Sequence, residues 1–381
     1  MTPAFRNMLM GGAVPPRVDL NFAAGTYIYN GVGYSAPSDI PGWTFTRATP
    51  AVSYAETPDG LLVPFSAGQP RIVSGSGYLP EESRTNVVLW NRDLTNAAWT
   101  KSSITAAKDQ TGPDGVANSA SSITATGANG TVLQAITLGS SARFQTARIK
   151  RITGSGTIQM TMDNGATWTS VTVTSAWTRV SIPTQTLANP TVGFRIVTSG
   201  DAVAVDFVQN ENGTSATSDI PTTTASVTRA NDIAYIANAS SILTRPFTMA
   251  MEFSPSPLNS NHFYGAWSVG GNGADYGGFR WTGSLLLVAI RQNATAGGDI
   301  SLSSSKPALT SNRLAAAVRV LSTSTSMNGS APVSASNIHT VAFDRLEIGS
   351  DGARGAIQNS FIQRVQIHGD VSDSQLTMLP R

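Results

Sequence analysis

The feature that most constrains this chain is repeated alternation of apolar and polar residues, broken by turn chemistry. In "TIQMTM", Ile158, Met160 and Met162 fall on one side of an extended backbone. "DNGATW" then supplies turn residues, and "TSVTVT" places Val171 and Val173 on a common face. Together they read as a hairpin. "TVGFRIV" puts Val192, Phe194 and Ile196 inward and Arg195 outward, and "AVAVDFV" does the same with Val203, Val205 and Phe207 inward. The pattern returns with Phe247, Met249, Met251 and Phe253, then with Leu314, Ala316, Val318 and Val320. Leu346 and Ile348 alternate with Arg345 and Glu347, and Phe361, Val365 and Ile367 align. Successive side chains of a strand point to opposite faces, so a period of two buries one face and wets the other. Several such strands without an amphipathic helix between them predict an all-β chain of antiparallel β-sandwiches, jelly-roll or lectin-like. Only "VSDSQLTMLP" departs: Ser372 and Gln375 have capping-box spacing, which predicts one short C-terminal helix stopped by Pro380.

Composition narrows the function classes. Charged residues are 13% of the 381, about half the usual quarter, while the hydrophobic share of 40% is too high for disorder. Net charge is +2 with no run of Lys and Arg, which argues against nucleic acid as a partner. There is no Cys, hence no disulfide, thiolate metal site or Cys nucleophile. The N-terminus lacks the basic start and long apolar core of a signal peptide, and no apolar stretch reaches the roughly 18 residues of a membrane span. Synthesis in a cytoplasm and no membrane insertion are expected.

Catalytic chemistry finds little footing. His262, His339 and His368 lie in separate segments without metal-ligand spacing, and no Gly-x-Ser-x-Gly elbow or Walker loop is present. A glycosidase needs two acids about 5–10 Å apart across a cleft. Candidates are Glu81 with Glu82, Asp93, Asp206 with Glu211, and Asp344 with Glu347. Adjacent Glu81 and Glu82 would point to opposite faces of a strand, and Asp206, between Val205 and Phe207, reads as outward or structural. Asp163 and Asp351 offer calcium-type oxygens, but a hairpin turn accounts for both. No enzyme, cofactor or metal is expected. The best binding clue is the aromatic-rich stretch from Asn261 to Gly283. Tyr264, Trp267, Tyr276, Arg280 and Trp281 are the candidate glycan contacts there, since sugar faces stack on aromatics. Core filling by the same aromatics is the competing reading.

Four stretches carry a family resemblance. "FTRATPAVSYAETPDGLL" and "GYLPEESRTNVVLWNRDLTNAAWTKSSITA" resemble the opening of many tailed-phage virion proteins. "GFRIVTSGDAVAVDFVQNENGTSATSDIPTTTASVTRANDIAYI" is similar to the close of their carbohydrate-binding-like head-spike or fibre module. "RLEIGSDGARGAIQNSFIQRVQIHGDVSDSQLTMLP" looks like the last strands and closing helix of a laminin G or concanavalin A-like sandwich. Asn210 stands where that family favours an apolar residue, though Glu211 is kept. The resemblance implies two tandem sandwiches, at residues 93–226 and 227–381, behind an irregular lead-in at 17–92 and a docking arm at 1–16. In that arm Phe5, Arg6, Met8, Leu9 and Met10 would engage other virion proteins. It further implies a virion-exterior spike or fibre, homotrimeric, that touches host-surface polysaccharide. The alternative is a capsid decoration or connector protein with no sugar ligand. Glu81, Glu82 and Arg84 read as a structural ion-pair set in either case, with Trp90 and Trp99 as packing anchors.

Overall fold

The computed structural model describes residues 15–255, 262–271, 273–293, 295–296, 299–305, 307, 311–336, 340–351 and 357–379. The expected docking residues Phe5, Arg6, Met8, Leu9 and Met10 lie outside this set, as do His339 and Pro380. The chain is all-β with antiparallel pairing between its strands and, among the described residues, one short α-helix at Asp373–Leu376. Ser372 N donates to Gln375 Oε1 at 2.9 Å, the contact that the capping-box spacing anticipates. Among the described residues no helix is long and apolar enough to cross a membrane.

Two compact units divide the chain, and they are interleaved in sequence. Unit 1 takes residues up to Arg47, then Gly68–Glu82 and Asn231–Arg381; unit 2 takes Ala48–Ala67 and Ser83–Ala230. The lead-in expected over 17–92 is therefore shared out between both units. In unit 1, Val18–Asn21 is a full sheet member: it pairs with Thr26–Tyr29 on one side and with Ile362–His368 on the other. Trp43–Thr46 joins Ile233–Ile236 in the facing sheet. Among the described residues these are a ten-stranded and an eight-stranded sheet.

The core of unit 1 contains the residues that alternation selected, Phe247, Met249, Met251, Phe253, Leu314, Ala316, Val318, Leu346, Ile348, Val365 and Ile367. Two positions differ. Ile362, not Phe361, faces the core, because a register shift near Phe253 adds a residue to the last strand and resets its phase. Val320 is exposed, since its strand ends at Val318.

Unit 2 packs two five-stranded sheets. One orders Thr100–Ser102, Gly130–Ala135, Thr191–Ile196, Ile158–Thr161 and Thr169–Val171. The other orders Ile104–Gln110, Ala120–Ala125, Ala202–Asn212, Ser141–Thr153 and Thr178–Leu187. Ile158, Met160, Met162, Val192, Phe194, Ile196, Val203 and Val205 meet Trp99 and Leu94 between them. Phe207 breaks the alternation. Its φ of 45° turns the side chain outward, and Val208 returns to the core in its place. Outside, Phe207 packs on Tyr54 and Leu62 of the hairpin formed by Val52–Glu56 and Leu62–Ser66, whose turn is the "PDG" at Pro58–Gly60.

Candidate functional site

Three of the five glycan contacts expected in unit 1 are core residues. Tyr264, Trp267 and Trp281 face the inner side of the eight-stranded sheet, each 4% exposed or less. Trp267 packs edge-on against Phe247 with centroids 5.6 Å apart, and Tyr264 lies 3.9 Å from Phe253. Tyr276 and Arg280 point to the other side of that sheet, but Tyr276 is buried against Phe263 and the Arg280 guanidinium covers the same ring at 5.5 Å. A buried indole offers a sugar no face. The aromatic density of this stretch reflects volume needed between two sheets.

Of the acids found by sequence, Glu81 and Asp206 are held by guanidinium groups, and Glu82, Glu211, Asp344 and Glu347 by amide, hydroxyl or backbone donors. In unit 1, Asp232 accepts from Arg47 at 2.8 Å and also pairs with Arg71, which pairs in turn with Glu81. Asn359 joins Glu82 through its backbone N–H at 2.8 Å and its carboxylate at 3.2 Å. In unit 2, Arg92 grips Asp206 through Nε at 2.8 Å and Nη2 at 2.9 Å, and reaches Asp114 at 2.8 Å. Asp206 is thus fully buried and partnered, not a surface acid; burial, opposed by Arg92, lifts its carboxyl to about 7. Arg148 binds Asp219 and Glu56 at 2.8 and 2.7 Å. Glu211 accepts from Thr217 N at 3.1 Å. Asp344 accepts from Gly270 N, and Glu347 accepts from Ser268 Oγ at 3.3 Å. Glu347 keeps one buried oxygen unpartnered, and burial, opposed by Arg345, lifts its carboxyl to about 8. Asp163 closes its hairpin by accepting from Thr161 Oγ1 and Thr167 N at 2.7 and 2.9 Å. Among the described residues no group of three His, Cys, Asp or Glu is placed to hold a metal ion.

The residues that carry the family resemblance form frameworks. Gln209 accepts from Ile220 N at 2.7 Å, Asn86 donates to Ile220 O at 2.9 Å, and Asn91 accepts from Thr222 N at 2.8 Å. The "NGTSATSDIPT" loop is pinned by these amides, each partnered as a buried amide must be. Asn210, the departure from the pattern of that resemblance, is also fully buried, but its side-chain amide has no hydrogen-bond partner among the described residues. The strand Arg84–Asn86 pairs with Val227–Arg229, and Trp99 donates to Trp90 O at 3.2 Å.

A different surface has the properties sought. On the outer face of the first sheet of unit 2, Ser102, Thr131, Arg195, Gln159 and Ser170 lie directly opposite one another across five strands. Opposed residues share a face, so they form one polar row. Trp168 ends the adjoining hairpin turn, half-buried, with the Arg195 guanidinium 4.5 Å from its ring centroid. Arg195 Nε donates to Gln159 Oε1 at 2.7 Å, which fixes the fork over the indole. The indole lies against Gly165, where a Cβ would come within 2.9 Å of Trp168 Nε1; φ there is 79°, which suits glycine. The result is a fixed aromatic edge beside a strip of hydroxyl, amide and guanidinium groups. Alternation had marked Arg195 as outward, but Trp168 was read only as part of a turn.

No protein-family model matches the sequence, and no curated protein matches it. Among solved structures, the carbohydrate-binding module CBM40 of the Ruminococcus gnavus IT-sialidase is similar over 38% of this chain and 86% of its own, at 14% identity and a TM-score of 0.32. Domain 4 of AbnA, a GH43 extracellular arabinanase from Geobacillus stearothermophilus in complex with arabinotriose, is similar over 45% and 84%, at 13% identity and a TM-score of 0.33. The binding domain of botulinum neurotoxin DC in complex with SialylT is similar over 39% of each chain, at 12% identity and a TM-score of 0.30. These likenesses are partial, and no residue's role follows from them.

Proposed function

We propose that this chain is a non-catalytic structural protein of a tailed-phage particle, displayed outside as a homotrimeric spike or fibre, and that unit 2 contacts host-surface glycan. The observation that carries the glycan contact is the open row of Arg195, Gln159, Ser170 and Thr131 beside Trp168. Stacking on the indole uses the CH face of a sugar, and the row reads its hydroxyls. The virion setting is supported by the resemblance alone. Its motif residues Arg47, Glu81, Asn86, Gln209 and Glu211 are buried and bonded, as residues that define an architecture should be. The absence of catalysis is supported by Glu81, Asp206 and Glu211, acids of the expected pairs that are each engaged by a framework donor.

Binding of purified full-length protein to a panel of bacterial surface polysaccharides tests the reading. A polysaccharide bound by the wild type and released by Trp168→Ala supports it. Binding to none of the panel, with the chain found between capsid proteins by imaging of the particle, would establish the connector role instead. Light scattering of the purified chain tests the trimer.

A further inference from the structure

At one end of unit 2, the start of strand Ser141–Thr153, the end of strand Ala202–Asn212 and the segment from Ser83 to Val87 line a half-open cavity of about 360 Å³. Arg143 forms part of its wall and is 3% exposed. One Nη donates to Gly139 O at 3.1 Å, and its buried Nε has no hydrogen-bond partner. Among the described residues no carboxylate pairs with it, whereas Arg47, Arg71, Arg92 and Arg148 each hold at least one. A buried cation without a counter-ion is unfavourable, and burial lowers the proton affinity of this guanidinium. Arg84 lines the same cavity, its Nη2 so close to Gly213 that a Cβ there would sit 3.1 Å away. Thr85 and Asn212 add a hydroxyl and an amide. Two guanidinium groups on one half-open pocket, one of them lacking a carboxylate partner among the described residues, describe a receptor for an anion that comes from outside.

The cavity does not end there. Val87, Leu138 and Ser226 also line a second groove of about 450 Å³, which continues over Leu89 and Ile136. An anionic end followed by an apolar shelf fits a ligand with an oxyanion on one side and CH faces on the other. We propose that this cavity binds the carboxylate of a sugar acid within an acidic glycan, with the ring lying on the shelf. The inference rests on the reading of unit 2 as a glycan binder but uses a site separate from Trp168.

Calorimetry on the full-length protein decides it, with three probes: a glucuronate-containing oligosaccharide, the same oligosaccharide with its carboxyls reduced to alcohols, and inorganic phosphate. The acidic oligosaccharide should bind at least about tenfold more tightly than the reduced one, the worth of one charge-assisted hydrogen bond. Arg143→Gln should lose about tenfold or more of that affinity, and Arg143→Lys should recover part. Should Arg143→Gln fail to fold, Asn212→Asp tests the same point from an exposed position, because it supplies the missing carboxylate internally and should abolish binding. Leu138→Ala should weaken the acidic oligosaccharide and leave phosphate alone. Equal binding of acidic and reduced probes, wild-type affinity in Asn212→Asp, or phosphate binding as tight as the sugar acid would each overturn the proposal. Trp168→Ala should leave the acidic-probe affinity unchanged. Loss of binding in Trp168→Ala but not in Asn212→Asp would locate glycan at the indole and sink the sugar-acid site alone.

Discussion

Arg92 and Arg148 lie on the outer face of one sheet of unit 2, beneath the hairpin Val52–Ser66, and each holds two carboxylates. Arg195 lies on the outer face of the other sheet, stacked on Trp168 and bonded to the Gln159 amide, with no carboxylate partner among the described residues. The same side chain thus has two fates within one sandwich. At Arg92 and Arg148, where it is covered, the guanidinium is matched by carboxylates of its own chain, and Arg143, covered without one among the described residues, is the exception on which the anion site rests. Where it is open, water solvates it, and its donors stay available to a ligand.

The comparison breaks most sharply at Arg148. Arg148→Met should leave the buried Asp219 without its close bidentate partner, with Arg179 at 3.9 Å as a weaker one, and cost about 3 kcal/mol in chemical unfolding of the full chain. Glu347 in unit 1 sharpens the lesson from the other side, as a covered acid with one oxygen unpartnered. Its carboxyl stands at about 8 folded against 4.5 unfolded. A folded-state pKa above the unfolded value means that the native state binds more protons across this window. Its contribution is complete below pH 4.5 and is lost as pH climbs towards 8. Asp206 acts in the same direction between 3.8 and about 7. Glu347→Gln should match the wild type in stability at pH 4 and exceed it at pH 8.5, by on the order of 2 kcal/mol. Identical pH profiles would remove Glu347 from the account. On the open sheet, Trp168→Ala should reduce glycan affinity by about tenfold or more while shifting stability by under about 1 kcal/mol. Gln159→Ala should have the smallest effect, a loss of about threefold in affinity as the Arg195 fork loses its anchor. A large stability loss in either variant would mean that the row is framework like its counterpart.

Alternation made most of this fold legible, because one buried face per strand leaves little choice of register. It failed at Phe207, where a positive φ in a non-glycine residue has no local signal, and at Phe361, where a bulge changes phase. The ion pairs were hidden for a different reason. Arg92 and Asp206 are 114 residues apart, and the ion-pair set expected at Glu81, Glu82 and Arg84 grouped neighbours in sequence, whereas Glu81 pairs with Arg71. The binding row was half legible: Arg195 was placed outward, yet aromatic density pointed to Tyr264 and Trp267. A lone Trp168 beside a turn weighs less in sequence than six aromatics in a run, although access to solvent, and not number, makes a platform.

The strand Val18–Asn21 spans its sheet between Thr26–Tyr29 and Ile362–His368, and Asp19 pairs with Arg364 across a separation of 345 residues. During synthesis this sets an order of events. The last residue of unit 2 is Ala230, so that unit can close while the rest is still being made. The opening strands of unit 1 must wait for the final one, on the order of ten seconds later at ordinary elongation rates. Through that interval Val18 and Leu20 sit on a strand with one edge bare, an open template for the same segment of a neighbouring nascent chain. Yield on expression should therefore depend on how far apart ribosomes travel on the message.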